Sequence, residues 1–148
     1  MSNLSQKKIR AFLKNQYLAV IATTDLLNKY PESALIAFVE DEGLTLFFQT
    51  NKYSRKAHNL RKNASISLVI GLAMNDLKTV QYQGTAEQLV KPESIEKCKR
   101  MFIAKRSPTA KPEYLNHPHA IFFQTRPTWI GFHDYSGKKT IVEEIQKF

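Results

Sequence analysis

The chain has 148 residues, of which 43% are hydrophobic and 24% charged, and its formal net charge is +9. That length fits one domain, residues 1–148, with enough surface to bury a core unaided. No apolar run approaches the roughly 20 residues of a membrane helix, and a single cysteine, Cys98, leaves no intrachain disulfide.

The basic excess raises the expectation of an anionic partner: nucleic acid, a membrane surface or a phosphorylated cofactor. No zinc-finger spacing and no RNA-binding aromatic signature accompany it, which disfavours nucleic acid. Met1 to Lys14 hold no signal-peptide core, so the cytoplasm is the expected compartment.

Residues 3–16 fit an amphipathic helix, with Ile9, Phe12, Leu13 and Gln16 on one face and Lys7, Lys8, Arg10 and Lys14 elsewhere. Tyr17 to Thr24 is an apolar, β-branched run and predicts a buried strand. Asp25 to Pro31 is a polar connection to a second strand, Ser33 to Val39. Gly43 completes a turn into a third, Leu44 to Thr50. Such a meander points to an antiparallel sheet. A short helix over 54–62, with Ala57, Leu60 and Ala64 towards the core, leads to a fourth strand, Ser65 to Gly71. Leu77 to Val90 is a long fifth strand in which Val80, Tyr82, Gly84 and Ala86 alternate with polar residues. Gly84 marks a bulge or bend. Pro92 to Arg106 is a helix whose core face is Ile95, Cys98, Met101 and Phe102. Ser107 to Pro118 is a loop, and His119 to Thr125 and Thr128 to Tyr135 are two further strands. Residues 138–148 fit either helix or strand. The count gives a mainly β (α+β) fold of six to seven antiparallel strands with about three flanking helices, and favours a small closed barrel.

One stretch breaks a local rule. Ser54 is a good N-cap, yet Arg55 and Lys56 follow it in the first turn, where the helix already carries partial positive charge. Two cations, a capping hydroxyl and free N–H groups at one helix start suit a phosphate. The alternative is a solvated pair at a cost of a few tenths of a kcal/mol. Other chemistry is thin. His58, His117, His119 and His133 are too scattered for a metal site. Cys98 reads as inert packing. No nucleophile elbow, P-loop or dinucleotide fingerprint occurs. Phe122, Phe123, Trp129, Ile130 and Phe132 offer more apolar surface than one core obviously needs, which suggests an interface.

The stretch Leu44 to Ile70 resembles the pyridoxamine 5′-phosphate oxidase-like superfamily of FMN-binding split β-barrels. The matching features are an aromatic-rich strand ending in Thr50, the run Ser54-Arg55-Lys56-Ala57-His58-Asn59-Leu60, then Asn63 and the strand Ile66 to Ile70. Element order agrees from about Tyr17 to Tyr135. The resemblance implies a split β-barrel and FMN as cofactor, with Arg55 and Lys56 on its phosphate and Ser54 capping. It implies flavin contacts from Gln49 and Thr50, and from the backbone of Ala34, Leu35, Ile36 and Ala37. On the fifth strand it points to Thr79 or Gln81, and it places Trp129 near the ring from a second subunit of a homodimer.

Departures accompany the match. Ala34 stands where the family has a phosphate-binding arginine, and Val39 where it holds its substrate's phosphate with a lysine. The C-terminal arginine–x–histidine motif has no clear counterpart. The expectation is therefore flavin-mediated electron or hydride transfer on a small-molecule substrate, without vitamin B6 oxidation. The rivals are a flavin, deazaflavin or haem binder without turnover, and a basic nucleic-acid-binding barrel.

Overall fold

The described part of the computed structural model, residues 2–73 and 76–148, forms seven strands and four helices. Helix α1 (Ser2–Lys14) precedes strands β1 (Leu18–Asp25), β2 (Tyr30–Glu40) and β3 (Leu46–Asn51). Helix α2 (Arg55–Lys62) leads to β4 (Ser65–Ile70) and β5 (Lys78–Gln88). Helices α3 (Pro92–Lys105) and α4 (Pro112–Leu115) come before β6 (Ala120–Asp134) and β7 (Ile141–Ile145). Sheet order is β3-β2-β1-β4-β5-β6-β7, every pairing is antiparallel, and β3 also pairs with β6. That last pairing closes six strands into a barrel, with β7 added outside. The expected mainly β split barrel is the observed one.

Its ends are plugged by helices. Ile9, Phe12 and Leu13 of α1 enter the main core at the end where β1 begins, and Leu60 of α2 enters it at the other. Between them lie Ile21, Phe38, Phe48, Leu68, Tyr82, Ile130 and Phe132. Tyr82 is fully buried, so its hydroxyl needs partners. It donates to the Leu44 carbonyl at 3.1 Å and meets Thr125 Oγ1 at 2.6 Å. A second cluster lies outside the barrel. Cys98 and Phe102 of α3 and Leu115 of α4 pack there on Val39, Leu89 and Phe122. Burial pushes the Cys98 thiol up to about 12, so it is protonated packing.

The structure departs from the sequence expectations at several places. The two strands at 119–135 are one strand, β6. Its register slips where Gln83 faces Trp129 and Gly84 faces Pro127, leaving Thr128 as a bulge. Proline is tolerated at such a bulge. A Cβ on Gly84 would lie 2.1 Å from the Arg126 carbonyl oxygen, so the two backbones approach only because residue 84 is glycine. The ambiguous C-terminal stretch contains strand β7. In the β2–β3 turn the left-handed residue is Leu44 (φ 64°), not Gly43. Asp41 ties that turn by accepting from Gly43 and Thr45 N–H, both at 2.9 Å. Ala64 lies beyond α2, whose C-cap is Asn63, and is exposed. Phe122, Phe123, Ile130 and Phe132 are all buried within one chain, so they offer no interface; of the five residues only Trp129 is part-exposed.

Candidate cofactor site

The barrel is open along one seam. Only Phe38–Glu40 of β2 pair with β3, through Phe48, Phe47 and Leu46. From Ala37 back to Tyr30, β2 pairs with β1 alone, while Gln49–Asn51 of β3 pair with β6 alone. One backbone edge of Ala34–Ala37 is thus left without a strand partner, and such an edge is a row of hydrogen-bonding groups. Along this stretch Ile36 points into the core and Leu35 outward, 58% exposed. Ala34 packs against the main core, Ala37 against the outer cluster.

Helix α2 begins at the wide end of that seam. Thr50, one residue before the end of β3, faces inward, and its hydroxyl meets Ser54 Oγ at 3.0 Å. Ser54 Oγ accepts from Ala57 N–H at 3.2 Å, as an N-cap should. Gln49 is half-buried and its amide donates to the Tyr114 carbonyl at 3.3 Å. The two cations are not equivalent. Burial holds the Lys56 ammonium below the usual lysine range with no acidic group offsetting it. Arg55 is exposed and donates to Glu32 Oε1 at 3.2 Å.

Glu32 comes from β2 and escaped the sequence reading. Its other oxygen, Oε2, accepts from Asn59 Nδ2 at 3.0 Å, and the same amide donates to Thr23 Oγ1 at 3.0 Å. A carboxylate of this chain thus sits beside the first turn of α2, favourably placed for the helix dipole. The available signal is the period of two: Glu32 shares a strand face with Ala34, the position where the family resemblance implies an arginine.

The remaining expected residues lie across the sheet. Leu35, Val20, Val69, Gln81 and Gly131 are successive register partners from β2 through β1, β4 and β5 to β6. Gln81 is therefore three strands from Leu35, roughly 14 Å at ordinary strand spacing. Thr79 lies on the same outward side, opposite His133. Trp129 faces outward too and lays its ring over Gly131, where a Cβ would come within 2.5 Å of it. Within one chain, then, the structure gathers Gln49, Thr50, Ser54, Arg55, Lys56 and the Ala34–Ala37 edge. It leaves Thr79, Gln81 and Trp129 apart from them. His117 and His119 meet edge-on at 5.2 Å, and among the described residues no group of three potential metal ligands forms.

The family model described as pyridoxamine 5′-phosphate oxidase matches residues 5–134. The chain belongs to the pyridoxamine 5′-phosphate oxidase family. Solved structures share the fold at low identity. Protein Atu2129 of Agrobacterium tumefaciens is 19% identical, with a TM-score of 0.73 over 97% of this chain and 57% of that one. A protein related to general stress protein 26, of the pyridoxinephosphate oxidase family, from Clostridium acetobutylicum is 19% identical, with a TM-score of 0.73 over 98% of this chain and 97% of its own. A heme binding protein of Mycobacterium smegmatis is 13% identical, with a TM-score of 0.77 over 96% of this chain and 57% of that one. No curated protein matches the chain by sequence. No helix among the described residues is long and apolar enough to cross a membrane.

Proposed function

We propose that the protein is an FMN-binding flavoprotein that carries out electron or hydride transfer on a small-molecule substrate. The observation that carries this is the meeting of an unpaired β2 edge with a capped, doubly cationic helix start in one seam. The residues present fit the cofactor. Lys56 is a part-buried cation that pairs with no carboxylate among the described residues, and a phosphate would give it a counter-ion. Arg55 stands beside it. The Ala34–Ala37 edge can meet the polar rim of an isoalloxazine, and Gln49 can orient it. FMN, when bound, supplies the redox chemistry; the chain binds, orients and excludes water.

The working form we propose is a homodimer. Gln81 and Trp129 lie too far from Lys56 in sheet order to serve the same ligand within one chain. Between them and the seam, Leu18, Leu35 and Val69 expose apolar surface. A second copy placed on this face by a two-fold axis would cover it and bring its own Gln81 and Trp129 to the seam. Vitamin B6 phosphates are not the substrate we expect, because Val39 is 1% exposed and packed in the outer cluster, offering no cation. The setting we propose is the cytoplasm.

Titration with FMN and riboflavin tests the cofactor. FMN should bind at least tenfold more tightly, since one charge-assisted bond is worth roughly 1.5–3 kcal/mol and about 1.4 kcal/mol is tenfold. Equal affinities would overturn the phosphate site. A Soret band in the purified protein would favour haem, and sedimentation of the holoprotein as a monomer at micromolar concentration would overturn the dimer.

A further inference from the structure

We infer that Glu32 sets the anion selectivity of this seam, by holding Arg55 as an internal counter-ion and so weakening the grip on a phosphate. This rests on the FMN reading above. The carboxylate is fixed, not merely nearby. Its Oε2 accepts from Asn59 Nδ2 at 3.0 Å, and Asn59 is 3% exposed and anchored in turn on buried Thr23 at 3.0 Å. Its Oε1 receives the Arg55 guanidinium at 3.2 Å, with side-chain exposure of 17% for Glu32 against 77% for Arg55. The Asn59–Thr23 network positions the carboxylate, and the exposed Arg55 side chain reaches over to it.

The consequence is electrostatic. A dianionic phosphate entering at the α2 start meets a like charge already there, and must draw Arg55 away from Glu32 to gain its second cation. Lys56 is the cation left to it, and the ammonium is itself weakened by burial. An uncharged ribityl end, as in riboflavin, meets neither penalty. Glu32 therefore narrows the preference of the seam for FMN over riboflavin, and makes the cofactor exchangeable instead of permanently held.

Glu32→Gln tests this in the full-length chain, because it keeps the size and the contact to Asn59 while removing the charge. FMN and riboflavin affinities are measured by flavin fluorescence for the unaltered chain, for Glu32→Gln, and for Glu32→Gln with Arg55→Ala. The expected result is FMN binding tightened tenfold or more, riboflavin unchanged within twofold, and the gain lost again in the double variant. Glu32→Ala serves as second variant should Glu32→Gln not fold, with the same gain expected. FMN affinity unchanged or weaker in a folded variant overturns the inference, and so does an absence of FMN binding in all of them. The two levels separate cleanly. Equal FMN and riboflavin affinities in the unaltered chain, with preference for FMN appearing in Glu32→Gln, would sink the phosphate reading of the natural protein and uphold the role of Glu32. A preference for FMN that the substitution leaves alone would do the reverse.

Discussion

Two helices, α2 at a barrel end and α3 outside the barrel, solve the same electrostatic problem in opposite ways. Helix α3 follows the charge rule within its own turns. It opens on Pro92 with Glu93 in the first turn, ends on Lys105, and is closed by Arg106 in the left-handed conformation at φ 55°. Acid at the start and base at the end suit the macrodipole. Helix α2 has no acid in its first turn and opens on Arg55 and Lys56. Its missing acid arrives from elsewhere, as Glu32 of β2. A helix built for packing can satisfy its ends from its own sequence. Helix α2 does not, and its neutralising charge is a tertiary contact, the carboxylate of Glu32.

The largest effect expected from disturbing this contrast lies at the end of α3. Lys105 Nζ bonds Glu40 and donates to the Leu13 carbonyl at 3.1 Å, and it lies 4.3 Å from the centre of the Phe38 ring. Both side chains of the ion pair are about nine-tenths buried, at 10% and 9% exposure. Burial pushes the lysine below its ordinary range, against the pull of Glu40. Lys105→Met strands that carboxylate in the interior and should cost about 3–5 kcal/mol, read as a lower urea midpoint at unchanged slope. Flavin affinity of the folded fraction should not move. If it does, α3 is not purely structural and the contrast fails.

A smaller loss is expected at α2, but with a second readout. Asn59→Ala removes a buried hydrogen bond to Thr23 and a part-buried one to Glu32, and should cost about 1–3 kcal/mol. It also releases Glu32 from its anchor, so FMN affinity should change while riboflavin affinity does not. A variant that loses stability and leaves the ratio of the two flavins intact would place Asn59 with the packing residues, and separate it from the ligand seam.

The same contrast explains what the sequence made legible. Helix α3, the Ser54 cap and the alternation of β5 were visible because each is encoded within a few neighbouring residues. Strand β6 was cut in two because Pro127 reads as a strand breaker, and only its opposition to Gly84 across the sheet shows it to be a bulge. Helix α4 is one turn long, too short to show a period. Phe122 looked like interface surface because nothing local says that α3 and α4 return to cover it. Glu32 lies 23 positions before Arg55 and reaches it only once β2 pairs with β1, the strand on which α2 packs. The halves of the proposed flavin site were named as residues, but the sequence does not say that they sit three strands apart.

The finest test exchanges the caps themselves. Ser54→Ala removes the acceptor for Ala57 N–H and the partner of Thr50, and should cost about 1 kcal/mol. Lys91 is the N-cap of α3 and makes no side-chain capping bond, although its backbone, at φ −76° and ψ 127°, already has the extended shape a cap requires. Lys91→Ser should therefore gain stability, by about 0.5–1 kcal/mol, because it supplies the missing acceptor and removes a cation from the positive helix end. At this chain length 1 kcal/mol moves the melting temperature by roughly 2–4 °C, so both shifts are within calorimetric reach. The helices share no partners, so the double variant should melt near the unaltered chain. The discriminating readout is again the ligand. Lys91→Ser must leave FMN affinity within twofold, whereas on the proposed phosphate reading Ser54→Ala should weaken FMN more than riboflavin, since the cap orders the first turn of α2. Equal losses for the two flavins would mean that Ser54 only starts a helix, and that the seam binds its ligand without help from the α2 N-terminus.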